Sequence, residues 1–174
     1  ISPKGVISCM QTPTLEGTNE LMKHPRTSLI LATGGTGLVK AAYSAGKPAF
    51  GVGPGNVPSY IDRTADVPKA VSDILTGKTF DNGTLCSSEQ AIVCDSPIKD
   101  QVLQELRKQG AYICSAAEKA ALEKTIQTPR RTLNVRIVGQ PAVKIAQMAG
   151  LTVAAGTRAL VAFADGVGMD FPIS

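Results

Sequence analysis

The sequence predicts an α/β fold: a doubly wound parallel-sheet layer, residues 1–57, joined to a second α/β part, residues 58–174. Three observations carry this reading. Short apolar runs alternate with helical periodicity along the first third of the chain. A Gly/Pro-rich stretch, Gly51-Val-Gly-Pro-Gly-Asn-Val-Pro58, then breaks the pattern, and the alternation resumes beyond it with longer helices. A hydrophobic content of 43% over 174 residues allows a sizeable core, which excludes a disordered chain.

In the first part, residues 6–10 are an apolar run read as a strand. Thr18 is expected to cap a short helix that carries Leu21 and Met22 and ends before Pro25. Residues 28–32 read as a fully buried strand running into Thr33-Gly34-Gly35-Thr36-Gly37, after which Leu38, Val39, Ala41, Ala42 and Ala45 form a small helix that Gly46 can end. Residues 47–52 are the next strand. This repetition with short loops is the pattern of parallel strands joined by crossovers.

In the second part the spacing predicts a helix over 67–79, with Val71, Ile74 and Leu75 on one face. A polar turn over 80–90 precedes a strand at 91–94. Ser96 is expected to cap a helix with Pro97 at its first position and Ile98, Val102, Leu103 and Leu106 as its buried stripe, closed by Gly110. Residues 112–114 form a short strand, and Ser115 with Glu118 is a capping-box signature for a helix ending near Pro129. A further helix is expected over 141–149 and a last strand over 158–163, with no internal repeat.

Composition excludes several function classes. The excess of 18 Lys+Arg over 14 Asp+Glu is mild and dispersed, and the densest basic stretch, residues 124–136, has no interleaved aromatics, so a nucleic-acid partner is not expected. No apolar run approaches the ~20 residues of a membrane span. Cys9, Cys86, Cys94 and Cys114 lack Cys-x-x-Cys spacing, which points to free thiols in a reducing compartment. One histidine and no paired cysteines leave no expected metal site. The start at Ile1 without an initiator and the stop after Asp170-Phe-Pro-Ile-Ser174 lead us to expect a piece of a larger protein.

Three features can carry chemistry. Glycines 34, 35 and 37, between a strand and a helix, would let backbone N–H groups approach a phosphate, although a tight strand-to-helix turn would look the same. The cluster matches neither Gly-x-Gly-x-x-Gly nor a Walker loop, since Gly46-Lys47 is followed by Pro48. Cys86 sits in a polar, turn-rich stretch, where Asn82-Gly83-Thr84 and Ser87-Ser88 can present N–H groups to a thiolate, whereas Cys9, Cys94 and Cys114 lie in apolar runs. The third feature, Gly51, Gly53, Pro54 and Gly55, is side-chain-poor backbone that suits either close approach of a ligand or a plain linker. His24, before Pro25, reads as structural or solvent-facing, and Asp81 and Glu89 beside Cys86 read as turn carboxylates.

These features occur together and in order in one family. Leu29-Ile-Leu-Ala-Thr-Gly-Gly-Thr-Gly-Leu-Val-Lys-Ala-Ala-Tyr-Ser-Ala-Gly-Lys-Pro48, Gly51-Val-Gly-Pro-Gly-Asn56, Asp62-Arg-Thr-Ala-Asp66 and Lys78-Thr-Phe-Asp-Asn-Gly-Thr-Leu-Cys-Ser-Ser-Glu-Gln90 closely resemble the CoA-acylating aldehyde dehydrogenases. Ile137-Val-Gly-Gln-Pro-Ala-Val-Lys-Ile-Ala-Gln-Met-Ala-Gly150 and Asp165-Gly-Val-Gly168 are similar to the same branch, so the resemblance covers essentially the whole chain.

The resemblance implies that residues 1–57 close a dinucleotide-binding domain and that 58–174 begin a catalytic domain. It implies Cys86 as the nucleophile, Thr33, Gly34, Gly35 and Thr36 as cofactor contacts, and Val52 and Gly53 bordering the nicotinamide. It further implies NAD as cofactor, CoA and a short-chain aldehyde as substrates, a homo-oligomeric parent, and residence in the cytoplasm or inside a bacterial microcompartment. Where hydrolytic relatives carry Glu-Leu-Gly-Gly-Lys, this chain has Val52-Gly-Pro-Gly-Asn56, and a valine cannot activate water as a base. Oxidation of the aldehyde to acyl-CoA through a thioacyl intermediate is therefore the implied reaction. A hydrolytic aldehyde dehydrogenase and a non-catalytic nucleotide-binding or assembly module are the alternatives. The family's upstream and downstream stretches are not in this sequence, so the isolated chain is expected to be inactive.

Overall fold

Every strand pair in this protein is parallel and joined through helix, as a computed structural model describes it for residues 3–168 and 170–173. The expectation that the chain continues past Ile1 and Ser174 concerns residues outside the described ones. The chain divides into two compact units, Ile1–Pro54 and Gly55–Ser174.

The first unit holds α1 (Leu15–Lys23), β1 (Ile30–Thr33), α2 (Thr36–Tyr43) and β2 (Ala49–Val52). The cap of α1 is Thr14, whose hydroxyl accepts from the Gly17 N–H at 3.0 Å, and not the expected Thr18. That residue lies inside the helix and donates its hydroxyl to the Thr14 carbonyl at 2.8 Å. β1 pairs with β2 in the register Ile30↔Ala49 to Thr33↔Val52. The core is small: Met22, Ile30, Ala32 and Ala42 are buried, with Leu38, Ala41, Ala45 and Ala49 packed against them.

Two expectations fail here. Residues 6–10 form no strand, because no strand among the described residues pairs with them, and Ile7 stands 95% exposed. β1 is half-buried, not fully buried. Ile30 and Ala32 face the core formed with α1 and α2, while Leu31, 77% exposed, and Phe50, 67% exposed, project to the other side.

The second unit holds β3 (Val57–Ile61), α3 (Val67–Thr79), β4 (Glu89–Cys94), α4 (Lys99–Lys108), β5 (Ala111–Ile113), α5 (Ala116–Ile126), α6 (Ala142–Met148) and β6 (Ala159–Val161). β3 pairs with β4, and β5 with β6. Two layers of helix cover the β5–β6 pair. Ala111, Ile113, Ala159 and Val161 face a core shared with Val71 and Leu75 of α3 and Val102 and Leu106 of α4. On the other face, Tyr112, Leu160 and Cys114 pack with Leu122 of α5 and Ala146 of α6. Alternation of side chains along two short strands thus builds the helix–sheet–helix sandwich.

α3 keeps its expected bounds, with the Asp66 carboxylate accepting from the Lys69 N–H at 3.1 Å. β3 is an unexpected strand. Pro58 argues against a ladder position, and the register shifts at that point, between Val57 and Pro58. Ser96 does not cap α4: a 3₁₀ turn, Ser96–Ile98, leads into the helix without a side-chain cap. α5 stops at Ile126, short of Pro129, because Gln127 turns extended and bridges Leu133 antiparallel. Its capping box is present as expected, with the Ser115 hydroxyl accepting from the Glu118 N–H and the Glu118 carboxylate accepting from the Ser115 N–H at 2.7 Å.

Candidate functional site

In the first unit the expected cofactor residues share one end of the β1–β2 pair. Thr33 stands opposite Val52 in register, and the Gly34 N–H donates to the Val52 carbonyl at 3.1 Å. The chain then turns through Gly35, the N-cap of α2, which supplies no side-chain bond to that helix. The first-turn N–H groups of a helix have no partner within it, and they favour negative charge beyond its end. A Cβ on Gly35, Gly37 or Gly53 would meet nothing within 4 Å. Packing within the chain therefore does not require glycine at these places, and the bare backbone at the carboxyl ends of two parallel strands fits a pyrophosphate-bearing ligand. Gly51 has a different reason, since a Cβ there would press on Val39 and the Tyr43 ring, whose hydroxyl accepts from the Gly51 N–H at 3.0 Å.

Cys86 belongs to the second unit, in the loop between α3 and β4. The loop begins with Asp81, Asn82 and Gly83 at φ 47°, 50° and 75°, three successive left-handed residues that reverse the chain after α3. Thr84 fastens this turn, its N–H donating to the Asp81 carbonyl at 3.2 Å and its hydroxyl to the Asp81 carboxylate at 2.5 Å. A second turn follows, with the Ser88 N–H donating to the Leu85 carbonyl at 3.1 Å across Cys86. Ser88 is buried, and its hydroxyl reaches the Gly77 carbonyl of α3 at 3.4 Å. Cys86 is a free, exposed thiol at the tip of these two turns.

Gly55 explains part of the glycine-rich stretch that sequence reading left open. A Cβ at Gly55 would collide with the carbonyl oxygen of Cys86, so backbone meets backbone there and only glycine fits. Sequence marks the position as side-chain-poor but does not reveal what approaches it. The same holds for Gly77, where a Cβ would strike the Glu89 carboxylate. One Glu89 oxygen, Oε2, is buried without a hydrogen-bond partner among the described residues, whereas the Asp81 carboxylate accepts from the Thr84 hydroxyl within its turn. Burial lowers the Lys78 pKa, against the opposing pull of Glu89, and the Lys78 ammonium donates to Gln90 Oε1 at 2.9 Å. A cavity of about 360 Å³ flanks the loop, lined by Thr76, Phe80, Leu85, Ser87 and Glu89 among others.

The other thiols differ from Cys86 in setting. Cys114 is buried, which pushes its thiol up to about 11, and Cys94 is half-buried. Cys9 is exposed, contrary to its apolar neighbourhood in sequence, because residues 6–10 join no sheet. The His24 ring accepts from the Arg26 N–H at 3.2 Å in a surface turn. Among the described residues no group of three or more His, Cys, Asp or Glu stands ready to hold a metal, and no helix is long and apolar enough to cross a membrane.

Comparison with known proteins adds to this geometry. The model of the aldehyde dehydrogenase family matches residues 2–168. The chain is 48% identical over 160 residues to a bifunctional aldehyde-alcohol dehydrogenase of Escherichia coli (strain K12), covering 92% of this chain and 18% of that protein. Among solved structures it resembles an acetylating aldehyde dehydrogenase from Geobacillus thermoglucosidasius, with a TM-score of 0.92 and 52% identity over 98% of this chain and 38% of that one. It also resembles a Rhodopseudomonas palustris propionaldehyde dehydrogenase with bound CoA and an acylated cysteine, with a TM-score of 0.82 and 34% identity over 92% of this chain and 36% of that one.

Proposed function

Because the chain belongs to the aldehyde dehydrogenase family, we propose that the longer protein carrying it oxidises a short-chain aldehyde to acyl-CoA with NAD, reversibly, using Cys86 as nucleophile. The observation that carries this reading is the exposed Cys86 thiol, held between two fastened turns with its carbonyl wedged against Gly55. The acylated cysteine and bound CoA of the Rhodopseudomonas relative support it.

The steps assigned to this chain follow. The Cys86 thiolate attacks the aldehyde carbon, and the backbone N–H of Cys86 helps to stabilise the oxyanion that forms. The backbone of Thr33, Gly34, Gly35 and Thr36, with Val52 and Gly53 at the nicotinamide end, would hold NAD, which when bound would supply the hydride acceptor. Loss of hydride from the thiohemiacetal carbon leaves a thioacyl group on Cys86. The CoA thiol then attacks that carbonyl, its proton passing to solvent, and Cys86 departs as thiolate. Val52 carries no carboxylate, so the chain offers no base at this place to send water ahead of CoA.

Residues 1–57 act in this reading as the end of the dinucleotide-binding domain and 58–174 as the start of the catalytic domain. The outward apolar side chains Leu31, Phe50, Tyr60 and Val93 support burial against further chain, in a homo-oligomer whose mass light scattering would give. Cytoplasmic or microcompartment residence is a matter for cell fractionation.

Reverse acylation tests the assignment. Incubating the longer protein with propionyl-CoA, without NADH, should add one propionyl mass to the peptide containing Cys86. Label on another residue, or none at saturating thioester, would contradict it.

A further inference from the structure

Resting on the reading of Cys86 as nucleophile, we propose that Asn82 is a positioning residue for the Cys86 loop, acting as a clasp between that loop and the turn that leads into α6. The side-chain amide Nδ2 of Asn82 donates to the Gly139 carbonyl at 2.9 Å, a tie between residues 57 apart in sequence. Asn82 has φ 50° and is preceded by Asp81 at 47°, so two adjacent non-glycine residues hold the left-handed conformation. Such a run persists only where the surroundings determine it.

The two residues are held differently. Asp81 is fastened locally by Thr84. Asn82 is held at long range, by a segment on the far side of α5. That segment is itself ordered: Val135–Ile137 forms a 3₁₀ turn, the Gln140 N–H donates to the Ile137 carbonyl at 3.1 Å, and Gly139 sits at φ 72°. It also lies close to the loop at a second point, where a Cβ on Gly139 would come within 3.4 Å of the Thr84 methyl. Asparagine suits both demands. It tolerates the left-handed region better than most residues, and its amide supplies the donor that Gly139 accepts. The run from Ile137 to Gly150, which no step of the proposed reaction uses, thereby acquires a role, because it holds the turn four residues ahead of Cys86 in place.

The test uses the longer protein with Asn82→Gly and Asn82→Asp. Glycine keeps the backbone conformation at ease and removes only the clasp, while aspartate keeps the shape and removes the donor. In both we expect kcat for CoA-dependent NADH formation to fall roughly tenfold or more, as misplacement of a reacting group does, with KM for the aldehyde nearly unchanged. Amide hydrogen exchange should quicken in peptides covering 80–88 and stay level in α3 and β4. Unchanged kcat and exchange in Asn82→Gly would overturn the inference, as would faster exchange spread through α3 and β4, which marks general destabilisation. If the unsubstituted protein shows no CoA-dependent turnover, the assigned reaction falls, and exchange at 80–88 alone then decides whether the clasp orders the loop.

Discussion

At the scale of single residues, Gly55 and Cys86 meet backbone to backbone. The Cys86 carbonyl lies where a side chain on Gly55 would begin, and the loop keeps its place because that side chain is missing. Gly55→Ala must therefore shift either the Gly/Pro stretch or the Cys86 turn. We expect kcat to fall roughly tenfold or more, with Cys86 still open to alkylation by iodoacetamide, measured by mass spectrometry; full activity would contradict the close packing. Cys86 itself was legible, because it is the one cysteine set among Gly, Asn, Thr and Ser in place of apolar neighbours. The role of Gly55 was not legible, since the partner that excludes a Cβ comes from 31 positions away, and local sequence carries no record of it. Asn82 was hidden for the same reason: its partner Gly139 is distant, and an Asn-Gly pair reads as a turn whatever it clasps.

At the scale of elements, α5 begins at a charge-assisted cap. The Glu118 carboxylate accepts from the Ser115 N–H, the Tyr112 hydroxyl at 2.7 Å and the Ser115 hydroxyl at 2.8 Å, and these bonds, the backbone one foremost, hold its pKa below the ordinary 4.5. A depressed folded pKa means that the stabilisation is complete above 4.5 and is lost as pH falls through the lower folded value. Glu118→Gln should lower the thermal midpoint by a few degrees at most at pH 7, as befits an exposed terminal contact. The gap should close as pH falls below 4.5. A gap that widened with acid would contradict the assignment. This cap was readable because its donors and acceptors lie three residues apart. β3 was missed because Pro58 speaks against a strand locally, while pairing with β4, beyond a whole helix, decides the outcome. Residues 6–10 show the opposite error, an apolar run with the composition of a strand and no neighbour to pair with.

At the scale of the whole molecule, each unit repeats one device: parallel strands joined by helix, with the residues proposed to carry chemistry in the loops that leave the strands or helices. In the first unit this sets bare glycine backbone at the ends of β1 and β2; in the second it sets an exposed thiol between α3 and β4. The chain spans 18% of the Escherichia coli aldehyde-alcohol dehydrogenase and 38% of the Geobacillus enzyme. The complete reaction is therefore proposed for the longer protein that carries it. The central claim, that Cys86 forms a thioacyl group which CoA and not water releases, is tested most directly by following NADH formation from acetaldehyde or propionaldehyde. The longer protein and its Cys86→Ala variant would each be measured with and without CoA. Turnover that requires both CoA and Cys86 is the expected result; free acid formed at full rate without CoA, or activity retained in Cys86→Ala, would contradict it.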